Sequence, residues 1–175
     1  MFFTSNSPLT PEQYSLLSRL VHWAQFTRQQ SVLKSLYLRH AQVNGPYPSI
    51  IIADCLLQTE WGEHPVCKHM FRNKDANNMN LLTVDDVWEG EKTRYKGKVY
   101  KMFANWNHYY THLSDLISLT SQFEKVNTST SLDAQLNAWN TLRSKNLSYN
   151  EDILQIIKQY ELRRFDLYGD VGRCD

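Results

Sequence analysis

The 175-residue chain has no long apolar run, no strong charge of either sign, few cysteines and no visible export signal. Its longest aliphatic stretch, Ile50-Ile51-Ile52-Ala53, is stopped by Asp54. That falls far short of the roughly 18–20 apolar residues that cross a bilayer, so no membrane insertion is expected. The formal net charge is +1, which argues against the dense basic patch of a nucleic-acid binder. Cys55, Cys67 and Cys174 are few and odd in number, so free thiols are expected rather than a disulfide framework. The opening residues, MFFTSNSPLTPEQ, hold no basic segment followed by an apolar core. No internal repeat or low-complexity linker interrupts the chain. One domain with a real core is expected at this length, and 42% hydrophobic with 21% charged residues is an ordinary folded composition.

What is abundant is aromatic: 13% of the residues, which suits either core filling or platforms for flat ligands. Helical signals dominate. Thr10-Pro11-Glu12-Gln13 reads as an N-cap, a first-turn proline and a capping box, followed by Tyr14, Leu17, Val21 and Ala24 at helical spacing. A second helix is expected over 30–42, before Asn44-Gly45-Pro46 breaks the chain. A third runs from Pro48 to Trp61, with Gly62 as its stop. Residues 63–82 read as loop with room for one short turn. Thr93-Arg94-Tyr95 and Lys98 to Phe103 form a hairpin with its turn at Lys96-Gly97. Helices follow over 106–119, from Ser131 (Leu132, Leu136, Trp139), and from a Ser148/Glu151 capping box (Ile153, Ile156, Ile157, Tyr160), with 123–129 read as loop.

One residue in this pattern suggests chemistry. Ala53, Leu57 and Glu60 are in phase, so a carboxylate ends an apolar stripe at a helix C-terminus, beside Trp61. Desolvation and the negative helix end both favour a protonated carboxyl there, which suits a proton donor for glycosidic cleavage. A solvated glutamate in the last turn is the plain alternative.

The stretch Pro48-Ser49, Ala53, Leu57 and Glu60-Trp61-Gly62 resembles the signature of glycoside hydrolase family 73, the bacterial β-N-acetylglucosaminidases. Three further stretches follow that family in order. They are Asn77-Asn78-Met79-Asn80-Leu81-Leu82, the hairpin segment from Trp88-Glu89-Gly90 through Phe103-Ala104-Asn105-Trp106, and Leu147-Ser148-Tyr149 through Phe165-Asp166. The resemblance spans about residues 33–167, with 1–32 as an N-terminal helical extension and 168–175 as a tail. It implies an α+β, mostly helical, lysozyme-like domain with a small β-hairpin lobe. It also implies Glu60 as general acid and peptidoglycan glycan strands as substrate, cut after N-acetylglucosamine. No cofactor is implied, and a monomer acting on the cell wall is expected, either secreted or delivered by a phage or prophage.

Three departures stand beside it. Leu81 occupies the family's glycine position, the hairpin is short, and Thr93-Arg94-Tyr95 replaces a Thr-x-Glu segment. Glu91 is then the candidate second carboxylate, with Glu89, Asp85 and Asp86 nearby; each is otherwise a solvated hairpin charge. Without a second carboxylate, the substrate's own acetamido group would attack. Tyr149 matches a tyrosine near the family's cleft, or else packs in the core. Asn78 lies in the Asn-Asn motif, and Trp61, Trp88 and Tyr100 either stack on sugars or fill the interior. Other readings are a lytic transglycosylase and a wall-binding or virion module without activity. A zinc site (Cys55, His64, Cys67, His69, or His108 with His112) and a Cys67–His nucleophile pair find no supporting motif.

Overall fold

A computed structural model describes residues 8–39, 45–67, 78–143 and 148–166, with backbone only over 34–39. Six helices and one hairpin are described: α1 Pro11–Arg39, α2 Pro48–Thr59, β1 Lys92–Tyr95, β2 Lys98–Lys101, α3 Trp106–Leu119, α4 Glu124–Thr128, α5 Leu132–Arg143 and α6 Tyr149–Gln159. Short 3-10 turns cover Ser121–Phe123 and Leu162–Phe165. This is the α+β, mostly helical architecture with a small hairpin lobe that the sequence implied.

The centre is α2. Ile50, Ile51, Ile52, Ala53, Cys55 and Leu56 are each at most 1% exposed, so this helix is buried on every side rather than along one stripe. Each of the isoleucine and leucine side chains contributes roughly 1.5–3 kcal/mol of transfer free energy. Packed around α2 are α1, α6 and the 3-10 turn at 162–165, while α3 lies on α1. The start of α2 is capped from far along the chain. The Ser49 amide donates to Asp166 Oδ1 at 2.8 Å and the Ser49 hydroxyl to Oδ2 at 2.6 Å. A carboxylate at a helix N-terminus satisfies free amides and complements the helix dipole. The Pro48-Ser49 motif and the Phe165-Asp166 motif are thus two halves of one contact, further held by Arg163 Nη1 on Asp166 Oδ2 at 2.8 Å.

Several expectations are corrected. The two helices expected before residue 42 are one continuous α1 as far as Arg39, so the domain boundary expected at 32/33 falls inside a single helix. The polar Thr27-Arg28-Gln29-Gln30-Ser31 stretch lies inside this helix. Ala24, Thr27 and Ser31 are fully buried at helical spacing, and no glycine or proline lies between Pro11 and Gly45 to stop the helix. Residues 40–44 lie outside the described residues. The expected loop at 123–129 is instead the end of a 3-10 turn followed by α4, because Phe123 and Val126 are buried and Asn127 Nδ2 donates to the Ile117 carbonyl at 2.7 Å. The short turn allowed within the expected 63–82 loop falls at residues 65–67, which are helical.

The Thr10/Gln13 capping box forms reciprocally, at 3.0 and 3.2 Å, and Ser131 Oγ accepts from the Ala134 amide. Ser148 makes no side-chain capping bond, yet α6 begins at Tyr149 as expected. Leu81, standing where the resemblance places glycine, keeps a left-handed backbone at φ 50°. Such a conformation costs an L-residue about 1–2 kcal/mol. Leu81→Gly is therefore expected to be more stable than Leu81→Ala by about 1 kcal/mol in denaturant unfolding, since both remove the side chain and only glycine relieves the backbone.

Candidate active site

The end of α2 builds the site. Thr59 is the last helical residue, and Glu60, Trp61 and Gly62 follow with φ of 50°, 57° and 81°. The stop expected at Gly62 thus begins two residues earlier. The Glu60 and Trp61 amides both return to the Leu56 carbonyl, which closes the helix end. The buried Thr59 hydroxyl donates to the Cys55 carbonyl at 2.7 Å and accepts from the Gly62 amide at 2.9 Å. Two successive non-glycine residues in the left-handed region are strained backbone, of the kind that clusters at functional sites.

This turn swings Glu60 out of the core. The apolar burial expected for it is absent: the side chain is exposed, and among the described residues its carboxylate makes no hydrogen bond or ion pair. It lines a cleft of about 410 Å³ with His64, Pro65, Tyr95, Lys96, Lys98 and Tyr100. The hairpin supplies the opposite wall. Its strands pair Thr93 with Tyr100 and Tyr95 with Lys98, and its turn, Lys96-Gly97, uses two positive φ values (45° and 78°) that match a tight two-residue hairpin. Of the described residues lining the cleft, Glu60 is the one carboxylate.

Of the catalytic and sugar-binding candidates, Glu60 and Tyr100 line this cleft, and Glu91, Tyr149, Asn78, Trp61 and Trp88 are not among its lining residues. Glu91 precedes β1, four residues back from Tyr95, or ~13 Å along an extended strand. Its carbonyl accepts from Trp88 Nε1 and from the Met102 amide at the hairpin base. Tyr149 is 2% exposed and gives its hydroxyl to the buried Asp54, so it is a core residue and does not line the cleft. Asn78 is fully buried. Its amide donates to the carbonyls of Leu82 (2.8 Å) and Lys101 (2.9 Å), tying the 78–82 turn to β2. Trp61 packs edge-on against Tyr160, with centroids 5.1 Å apart. Trp88 lies edge-on against Phe103 and His112 and also against Gly90, where an added Cβ would meet its ring at 2.5 Å.

The hairpin is pinned to α3 by a second polar group. Lys101 is 2% exposed, yet its ammonium donates to Asp85 Oδ2 at 2.6 Å, lies 3.1 Å from His112 Nε2 and sits 5.1 Å from the Trp88 ring centre. Burial, with the Lys101 charge next, pushes His112 down to about 4. The hydrogen bond from Lys101 draws Asp85 below its ordinary value. A histidine held neutral in this way stabilises the fold above its ordinary pKa of about 6.5, and that contribution is lost as pH falls from there towards about 4. Asp85 acts in the same direction at lower pH. Acidification from pH 7 to 4 is expected to lower unfolding stability by on the order of 2 kcal/mol through His112. Lys101→Met should flatten that slope in urea titrations at several pH values.

The metal and thiol readings gain no support. His108 Nδ1 accepts from the Ala104 amide, and His112 faces an ammonium. Among the described residues no group of three or more His, Cys, Asp or Glu side chains could hold a metal ion. Cys55 and Cys67 are free and buried, and burial pushes the Cys67 thiol up to about 12, far from a nucleophilic thiolate. His69 and Cys174 lie outside the described residues. His64, weighed from sequence only as a metal ligand or thiol partner, is the cleft residue that the sequence reading missed. Its proximity to Glu60 depends on the left-handed turn, which no residue type announces.

No family profile and no curated protein sequence matches the chain. Solved structures do. The chain is similar to the catalytic domain of the autolysin Auto from Listeria monocytogenes (TM-score 0.61, 13% identity, covering 93% of this chain and 92% of that one). It is also similar to a peptidoglycan hydrolase from Sphingomonas sp. A1 (0.56, 19%, 83% and 92%). A third is the C-terminally truncated glycoside hydrolase domain of FlgJ from Salmonella typhimurium (0.59, 13%, 85% and 97%). The chain therefore has the fold of these bacterial hydrolase domains, the lysozyme-like fold that its resemblance to glycoside hydrolase family 73 implied.

Proposed function

We propose that the protein is a peptidoglycan hydrolase that cuts the β-1,4 bond after N-acetylglucosamine, with Glu60 as the acid. The observation that carries this reading is the placement of Glu60: a carboxylate with no hydrogen bond or ion pair among the described residues, on a strained turn, in a cleft walled by the hairpin. The fold shared with an autolysin catalytic domain and a peptidoglycan hydrolase supports the substrate class. In the free protein water reaches Glu60. A glycan filling the cleft displaces that water, and desolvation favours the neutral acid form of a carboxyl.

Glu60 then gives its proton to the leaving glycosidic oxygen as the C1–O bond breaks. With no other carboxylate among the described lining residues, the acetamido oxygen of the same sugar attacks C1 and forms a cyclic intermediate. Water opens it, returning a proton to Glu60. Tyr95 and Tyr100 offer ring surface on the hairpin side of the cleft. The same lone acid also fits a transglycosylase, in which a sugar hydroxyl replaces water. The test is digestion of purified peptidoglycan sacculi: release of new reducing ends by the wild type supports hydrolysis. A folded protein that releases nothing is a wall-binding module instead. Delivery to the wall by secretion or by a phage is part of this proposal and follows from the substrate.

A further inference from the structure

The turn that exposes Glu60 also brings His64 back beside it. The His64 amide donates to the Thr59 carbonyl at 2.9 Å, so residues 60–63 form a closed loop and the imidazole lines the same cleft. The ring is held on two sides. Tyr95 meets it edge-on at 5.1 Å and Tyr100 at 6.3 Å, both from the hairpin wall. Its Nδ1 accepts a hydrogen bond from the Val66 amide at 3.2 Å. A ring nitrogen that accepts carries no proton, so the neutral imidazole has its hydrogen on Nε2. Among the described residues no protein group hydrogen-bonds Nε2.

Among the described residues the charged groups acting on the ring are Glu60 and Lys96, and Lys98 also lines the cleft. Burial pushes His64 below its ordinary value, Glu60 pulls it back up, and Lys96 pushes it down again. The net direction is towards the neutral form.

We propose that His64 is a substrate-binding residue whose Nε2–H donates to a neutral oxygen, hydroxyl or N-acetyl carbonyl, of the sugar held beside Glu60. This rests on the glycan-hydrolase reading of the cleft. The same hydrogen bond that fixes the donor excludes His64 as general base. Its one lone pair is on Nδ1 and engaged by Val66, and the other tautomer would set an Nδ1–H against the Val66 N–H. His64 therefore orients the sugar, and proton transfer is left to Glu60.

Two measurements test this separately from the reading on which it rests. Imidazole nitrogen NMR of the Glu60→Gln protein at pH 7 should show His64 neutral with the proton on Nε2, and that signal should shift on adding an N-acetylglucosamine tetrasaccharide. A proton on Nδ1, a charged ring, or an Nε2–H signal unmoved by the sugar overturns the proposal. In kinetics on purified peptidoglycan, His64→Ala and His64→Asn should lose about 10-fold or more in kcat/KM, chiefly through KM, as expected for one lost substrate hydrogen bond. His64→Gln, whose amide N–H reaches the Nε2 position, should recover most of that loss. A Gln variant as impaired as the Ala variant, or an Ala variant with wild-type KM, contradicts it. A wild type that releases no ends defeats the hydrolase reading instead, and the NMR titration still decides the role of His64.

Discussion

Glu60→Gln is expected to lower the rate of reducing-end release from peptidoglycan by about 10²–10⁴-fold, the usual worth of a general acid. The substitution keeps the side chain's size and replaces its acidic carboxyl with an amide that cannot donate a proton at neutral pH. Because the side chain is exposed and makes no hydrogen bond or ion pair among the described residues, stability should change by no more than about 0.5 kcal/mol, the range of surface substitutions. The combination is diagnostic. A fall in kcat with KM and unfolding midpoint held constant assigns the loss to the reacting bond. A comparable loss from Glu91→Gln would mean that the hairpin base reaches the substrate after all, and that a second carboxylate takes part.

The second large effect is on stability. Asp54 is fully buried in the middle of α2 and serves several elements at once. It accepts from the Tyr149 hydroxyl at the start of α6 and from Asn80 Nδ2 at 2.6 Å, and Arg143 Nε at the end of α5 lies 3.6 Å away. Asn80 in turn accepts from the Tyr109 hydroxyl of α3. Asp54→Ala leaves a mostly buried guanidinium without its counter-charge and the Tyr149 hydroxyl without this acceptor, and it leaves Asn80 Nδ2 with only its longer bond to the Ile51 carbonyl at 3.4 Å. Removing one partner of such a group costs about 3–5 kcal/mol. A domain of this size holds only about 5–15 kcal/mol in total, so the variant should unfold at much lower denaturant. A change below about 1 kcal/mol in urea unfolding would mean that this network contributes little. The two predictions separate the roles of one helix: its buried middle holds the fold together, and the turn after its last residue carries the proposed acid.

What the sequence made legible, and what it hid, follows from that same division. The helix leading to Glu60, the hairpin with its Lys96-Gly97 turn, and the caps at Thr10 and Ser131 are written in local spacing and residue type, which the structure keeps. The exposure of Glu60 was not legible, because it depends on left-handed conformations at Glu60 and Trp61, and neither residue type signals one. Tyr149 was a site candidate because it matches a tyrosine near the cleft of the family that the chain resembles, with core packing as the alternative. Its hydroxyl is instead drawn to Asp54, 95 positions earlier in the chain. A hint was available: a lone aspartate inside Ile50-Ile51-Ile52-Ala53-Asp54-Cys55-Leu56-Leu57 must find donors if that helix is buried all round. Lys101 was hidden for the same reason. A lysine on a hairpin reads as solvated until Asp85, His112 and Trp88 are seen to close over it.

The most direct test of the central claim is mass spectrometry of the fragments that wild type and Glu60→Gln release from purified peptidoglycan. The account predicts fragments with reducing N-acetylglucosamine ends from the wild type and almost none from the variant. Reducing N-acetylglucosamine ends released equally by both proteins would contradict the role of Glu60, and 1,6-anhydro-muramic ends would contradict hydrolysis itself.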